Sequence, residues 1–270
     1  MIDIGTGPPL VLVPGLQGRW EWMRPTVDAL ADRFRVLTFS LAGEKGSDTA
    51  LASDAGFDTY VRQIDAVLDR AGAPSAIICG ISFGALIAFR YATLRGRRVR
   101  HLILASPVPP DFELRGRFRL YSRAPRLFFP LFCVDSARRV TPEWLAVFPR
   151  WTDRLQQAIH VGGRVIMTPA SPALMGRRLE SMRRVNFRDA ESVVAPTLIV
   201  TGERGLDRTV PPEISRRYRA LIPHAETRTL ARTGHLGTVT RPDAFASEVS
   251  DFVERADGRH ASEAGRKVAM

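Results

Sequence analysis

Lysine is almost missing from this sequence: Lys45 and Lys267 stand against 37 arginines in 270 residues. Cysteine is as scarce, with only Cys79 and Cys133, neither in a C-x-x-C or metal-type spacing. That argues against a disulfide-dense scaffold and against a cysteine-held metal centre. No run approaches the roughly 20 uncharged apolar residues that cross a bilayer. The opening Met1-Ile2-Asp3-Ile4-Gly5 lacks the basic and apolar regions of a secretory signal. The setting expected from these gaps is cytoplasmic and reducing, with no membrane partner. No metal or other cofactor is expected.

What is present is ordinary for a globular protein: 45% hydrophobic and 25% charged residues. The length suits one large domain or two small ones. The net charge of +11 is the odd number. A basic surface for nucleic acid, anionic lipid or an acidic substrate is one reading. Because the arginines are spread along the chain, substitution of arginine for surface lysine is the expected one. No nucleic-acid motif is present. Local clusters occur at 95–100, 115–126 and 177–188.

Apolar strands alternate with amphipathic helices over most of the chain. Strands are expected at 9–13, 34–39, 75–80, 99–105, 195–201 and, more weakly, 225–230. Helices are expected at 22–31, 57–70, 84–94 and 244–255. This alternation implies an α/β fold with a mainly parallel sheet and helices on both faces. Residues 109–187 break the rhythm. They hold no clear buried strand and are rich in Arg, Phe, Leu and Trp. They are expected to form a helical insertion between core segments 1–108 and 188–256. The polar stretch 257–270 is expected to be a flexible tail.

Gly80-Ile81-Ser82-Phe83-Gly84 joins an apolar strand to a helix, the context a G-x-S-x-G motif requires. A serine on so sharp a turn takes strained dihedrals, and the flanking glycines let the backbone pass. Its hydroxyl then stands clear of the sheet at a helix N-terminus, which favours negative charge. A nucleophilic serine needs a base, and the base an orienting acid. Of five histidines, His235 follows the last strand and overhangs the carboxyl ends of the parallel strands. His101 starts a strand, His160 lies in the insertion, His224 in a polar turn and His260 in the tail. The acid is expected after the 197–201 strand, at Asp207, with Glu203 as competitor and Asp111 a remoter alternative. Backbone donors for an oxyanion are expected at Phe83 and Leu16, with Gln17 second.

In this order, Ser82 then Asp207 then His235 resemble the nucleophile–acid–histidine sequence of the α/β-hydrolase superfamily. Residues 7–15 resemble its strand leading into the oxyanion loop. Residues 195–202 resemble the strand before its acid, and Thr233-Gly234-His235 its histidine segment. The resemblance places 109–187 where the family carries a variable cap. It implies acyl transfer to water, since relatives that open epoxides or release halide use an aspartate nucleophile. There are three departures. Pro14-Gly15 stands where the family usually has His-Gly, removing a side chain that braces the oxyanion loop. Ser40 replaces a usual acid. The antiparallel strands that precede Gly5 in the family are short or absent.

The activity expected is hydrolysis of a small or medium carboxylic ester through a Ser-His-Asp acyl-enzyme. Other acyl bonds (C–C, lactone, thioester, amide) are the alternative, and a non-catalytic binding protein on this fold the remote one. Gln17, Phe128, Phe132 and Trp144 are expected to line the substrate pocket. The partner expected is a small acyl substrate, with the protein a monomer or homodimer.

Overall fold

A computed structural model describes residues 1–51, 56–114, 116–187 and 189–268, with side chains up to residue 259. Arg115, Arg188 and the side chain of His260 lie outside the described residues. Seven strands are described: β1 (Ile2–Ile4), β2 (Pro9–Val13), β3 (Arg35–Thr38), β4 (Ala76–Ile81), β5 (Val99–Ala105), β6 (Thr197–Thr201) and β7 (Glu226–Thr229). They form one sheet in the order β1-β3-β2-β4-β5-β6-β7. β1 is antiparallel to β3, with Ile2 opposite Thr38, and every other pairing is parallel. The short antiparallel edge matches the expectation of a reduced N-terminal edge.

Six helices border this sheet: α1 (Arg24–Ala31), α2 (Asp58–Arg70), α3 (Phe83–Leu94), and, after the insertion, α8 (Ile214–Leu221), α9 (Gly237–Thr240) and α10 (Pro242–Val268). The period-2 side-chain alternation of the strands divides the core in two. Leu10, Leu12, Val36, Ile77 and Cys79 pack with α1 and α10 through Val27, Leu30, Phe245 and Phe252. Val11, Val13, Leu37, Ile78 and Leu104 pack on the other face with α2, α3 and Tyr218 of α8. Burial pushes the Cys79 thiol pKa up, so this cysteine packs as a small hydrophobe.

Four helices lie between β5 and β6: α4 (Arg117–Arg123), α5 (Pro125–Val147), α6 (Trp151–Met167) and α7 (Pro172–Met182). The apolar runs at 127–132 and 144–148 fall largely on one helix, α5, despite Pro130 and Pro142 within it. Pro130 removes the N–H that would bond the carbonyl of Arg126, but both residues are exposed, so water can take that carbonyl.

Three helix expectations change. The first opens with a 3₁₀ turn at Trp20–Met23, and the α-helix starts beside Pro25, a residue suited to a first helical turn. α8 is an addition to the helices expected from the sequence: Ile214, Tyr218 and Leu221 recur at i, i+4 and i+7, and Ile214 and Tyr218 are buried. The closing helix runs to Val268, so the described part of 257–270 is helical and not a frayed tail.

Candidate active site

Ser82 follows directly on β4 and caps α3, with φ 56° and ψ −113°. A non-glycine residue here is strained, and the surroundings enforce it. A Cβ on Gly80 would strike the carbonyl of Gly84, and one on Gly84 the carbonyls of Val13 and Pro14. The serine N–H is held by the carbonyl of Ala105 at 2.8 Å. The hydroxyl thus stands at the carboxyl edge of the sheet.

His235 Nε2 lies 3.1 Å from Ser82 Oγ, across 153 residues of sequence. Behind it, Nδ1 is 3.4 Å from Asp207 Oδ2. This last contact is long and does not close into a hydrogen bond in the conformation described. Asp207 is itself fixed, since its Oδ1 accepts N–H bonds from Thr209 at 2.9 Å and Val210 at 2.7 Å. Glu203 turns elsewhere: its Oε1 accepts the N–H of Arg232, whose φ is 60°. Asp111 pairs with Arg217 at 2.7 Å. Of the three candidate acids, Asp207 is the one brought to the histidine. The other described histidines point away: His101 faces Asp257 at 3.2 Å, His224 bonds the Ala195 carbonyl, and His160 is exposed on α6.

The loop after β2, where Pro14-Gly15 stands in place of His-Gly, is held by a side chain of the insertion. Arg178, on α7, is fully buried, and its Nη1 donates to the Leu16 carbonyl at 3.0 Å and to Glu44 Oε1 at 2.8 Å. Gly18, at φ +73°, lies against that guanidinium, and a Cβ there would collide with it. The carbonyl of Gly15 is taken by the N–H of Gly18 at 2.9 Å. In a trans peptide the N–H points opposite its carbonyl. The two bonds therefore fix the planes that carry the Leu16 and Gln17 N–H groups. Phe83 begins α3, where first-turn N–H groups have no helical acceptor.

A second insertion side chain grips the histidine loop. Glu143, on α5, is 1% exposed. Its Oε2 accepts the N–H of Leu236 at 2.8 Å and its Oε1 the hydroxyl of Thr240 at 3.0 Å. Burial raises its pKa above the ordinary range, against the opposing pull of these donors and of His235. Sequence reading missed Arg178, one of two adjacent arginines, and Glu143, a lone acid beside an apolar run, because their partners are more than 90 positions away.

Ser82, Phe83, Leu16, Gln17 and His235 open onto one cavity of about 1350 Å³. Phe132 and Trp144 line it as expected. Phe128 does not: it packs against the core, and its neighbour Phe129 lines the cavity in its place. One residue along a helix turns a side chain by about 100°. The arginines divide similarly. Arg117, Arg139 and Arg164 reach the cavity, whereas Arg119, Arg123 and Arg126 are exposed. Cluster 95–100 lies at the opposite end of the sheet, paired with Asp65, Asp69 and Asp257.

Residues 10–248 match the family described as the alpha/beta hydrolase family. The chain belongs to that family. Among curated relatives, 2-hydroxymuconate semialdehyde hydrolase of Pseudomonas sp. is 26% identical over 94% of this chain and 90% of that protein. Polyketide synthase ThaQ of Burkholderia thailandensis is 28% identical over 97% of this chain, which spans only 12% of ThaQ. The enol-lactonase structure from Burkholderia xenovorans LB400 covers 94% of this α/β hydrolase at 20% identity and a TM-score of 0.77, a likeness of fold. Hydrolysis is the general activity this kinship supports.

Proposed function

We propose that this α/β hydrolase cleaves a small or medium carboxylic ester through a covalent acyl-enzyme. The observation that carries the reading is the line from Asp207 through His235 to the Ser82 hydroxyl, at 3.4 and 3.1 Å, at the wall of an apolar cavity. His235 Nε2 takes the proton as Ser82 Oγ attacks the carbonyl. Asp207 holds the tautomer that leaves Nε2 free and stabilises the imidazolium that forms. The N–H groups of Phe83 and Leu16 receive the oxyanion, in peptide planes already held in place. The alcohol departs with the proton from His235, and a water activated by the same base releases the acid. The 109–187 insertion serves as a cap. Its Phe129, Phe132 and Trp144 suit a hydrophobic acyl or alcohol group. The free cysteines, Cys79 and Cys133, suit a cytoplasmic setting.

A second reading, hydrolysis of another acyl or activated C–C bond, draws support from the names of the muconate semialdehyde hydrolase and the enol-lactonase. A panel of p-nitrophenyl esters, lactones, thioesters and C–C substrates separates the two. On the preferred class, Ser82→Ala lowers kcat by at least about 10⁴-fold. A fluorophosphonate probe labels the wild type and fails on His235→Ala. Equal rates for wild type and Ser82→Ala on every substrate would overturn the catalytic reading.

A further inference from the structure

Two consecutive helices turn their apolar sides outward. α5 has 23 residues and α6 has 17, and among the described residues the only buried side chain on either is Glu143. A helix in a globular protein ordinarily turns an apolar stripe to the core. Here Leu127, Leu131 and Leu145 recur at i, i+4 and i+18 on the solvent side of α5. Trp151, Ile159 and Ile166 do so at i, i+8 and i+15 on α6. Leu127, Trp151 and Ile166 are 73%, 72% and 78% exposed. Among the described residues, ten of the twelve exposed large hydrophobics belong to these two helices. A cluster of this kind on a folded chain marks a surface that something covers.

Charge says what covers it. Residues 109–187 hold fourteen arginines and no lysine against six acidic residues, a net +8 of the protein's +11. The arginines are therefore not evenly placed, as the sequence first suggests. Of the acids on α5 and α6, Glu143 is buried, Asp135 is engaged by Arg117 and Arg139, and Asp153 accepts from the neighbouring Thr152 hydroxyl. Arg126, Arg138 and Arg150 stand exposed beside the apolar stripes. A second copy of this chain would set one +8 segment against another, which disfavours self-association through this face. An anionic lipid surface matches both properties at once, since it takes apolar side chains below the headgroups and arginines among them.

We propose that the outer face of α5 and α6 docks on anionic lipid surfaces, lying in the interface. No helix among the described residues is long and apolar enough to cross a membrane, so the contact is peripheral. This revises the expectation of no membrane partner drawn from the lack of a spanning segment. It stands apart from the catalytic reading, because docking uses neither Ser82 nor His235. The inner sides of the same helices, through Trp144 and Val161, wall the cavity, so docking sets that cavity beside the lipid.

The test is flotation of the full chain with phosphatidylcholine vesicles, with and without phosphatidylglycerol, at low and high salt. Binding is expected to need phosphatidylglycerol and to weaken with salt. The double variant Ile159→Glu, Ile166→Glu is expected to bind at least about tenfold more weakly. Its circular dichroism and Tm should be unchanged, since neither side chain is buried. Three outcomes would overturn the proposal. The wild type could ignore anionic vesicles; the variant could bind as well as the wild type; or sedimentation velocity could show a dimer that only the variant dissolves.

Discussion

The sheet core and the helical segment 109–187 are built on opposite terms. In the core, strands such as β4 are buried at every residue, charges nearly balance, and Arg95, Arg98 and Arg100 are matched by aspartates. The helical segment carries most of the excess charge, and its two longest helices bury one side chain between them. Yet two buried charged side chains of this segment, Arg178 and Glu143, bond to loops beside Ser82. The difference teaches that the two regions divide the work. The core positions Ser82, Asp207 and His235, and the segment bonds to the loops beside them.

The sharpest way to break that comparison is within the core machinery itself. Asp207→Asn should lower kcat by about 10⁴-fold while leaving the fold intact. Glu203→Ala, which removes only the acceptor of the Arg232 N–H, should cost about 1 kcal/mol of stability and leave kcat near wild type. The reverse ranking in steady-state kinetics would transfer the acid's role to Glu203.

Arg178→Met tests the segment's hold on the oxyanion loop. It strands the Glu44 carboxylate in a buried site and frees the Leu16 carbonyl, so denaturant unfolding should show a loss of about 3–5 kcal/mol. Pairing it with Glu44→Met should restore most of that stability. The double variant should still lose kcat by about 100-fold with little change in KM, because the Leu16–Gln17 peptide, which follows the proposed Leu16 donor, loses its anchor. Full kcat in the stable double variant would show that Arg178 serves packing alone.

The smallest effect belongs to Glu143. Its folded-state pKa is raised, so the native protein holds this proton more tightly than the unfolded chain. Its contribution to stability is therefore lost as pH rises from the ordinary glutamate range through the raised value. Each tenfold tightening of the proton in the native state is worth about 1.4 kcal/mol. Tm measured against pH should fall across that window, and the neutral Glu143→Gln should flatten the slope. An unchanged slope would remove Glu143 as its source.

Much of this was legible along the chain. Strong apolar strands and the G-x-S-x-G turn need only local information, because β-propensity, glycine spacing and a strand-to-helix junction lie within a dozen residues. His235 and Asp207 were found from their places after particular strands, once a parallel sheet was inferred. Phe128 failed because a run of neighbouring aromatics does not say which side of a helix meets a cavity. α8 was passed over although Ile214, Tyr218 and Leu221 recur at i, i+4 and i+7, because it is only eight residues long and three of them are arginine.

By itself, the sequence determined the sheet and the sharp strand-to-helix turn at Ser82, since each rests on short-range sterics and hydrophobic period. Only the tertiary structure brought Asp207 beside His235 while turning Glu203 to the Arg232 N–H, set Arg178 on the Leu16 carbonyl, and set Glu143 on the loop after His235. It also decided that the surplus arginines share a face with uncovered apolar side chains. Each of these depends on contacts between segments far apart in sequence, and neither composition nor periodicity records such contacts.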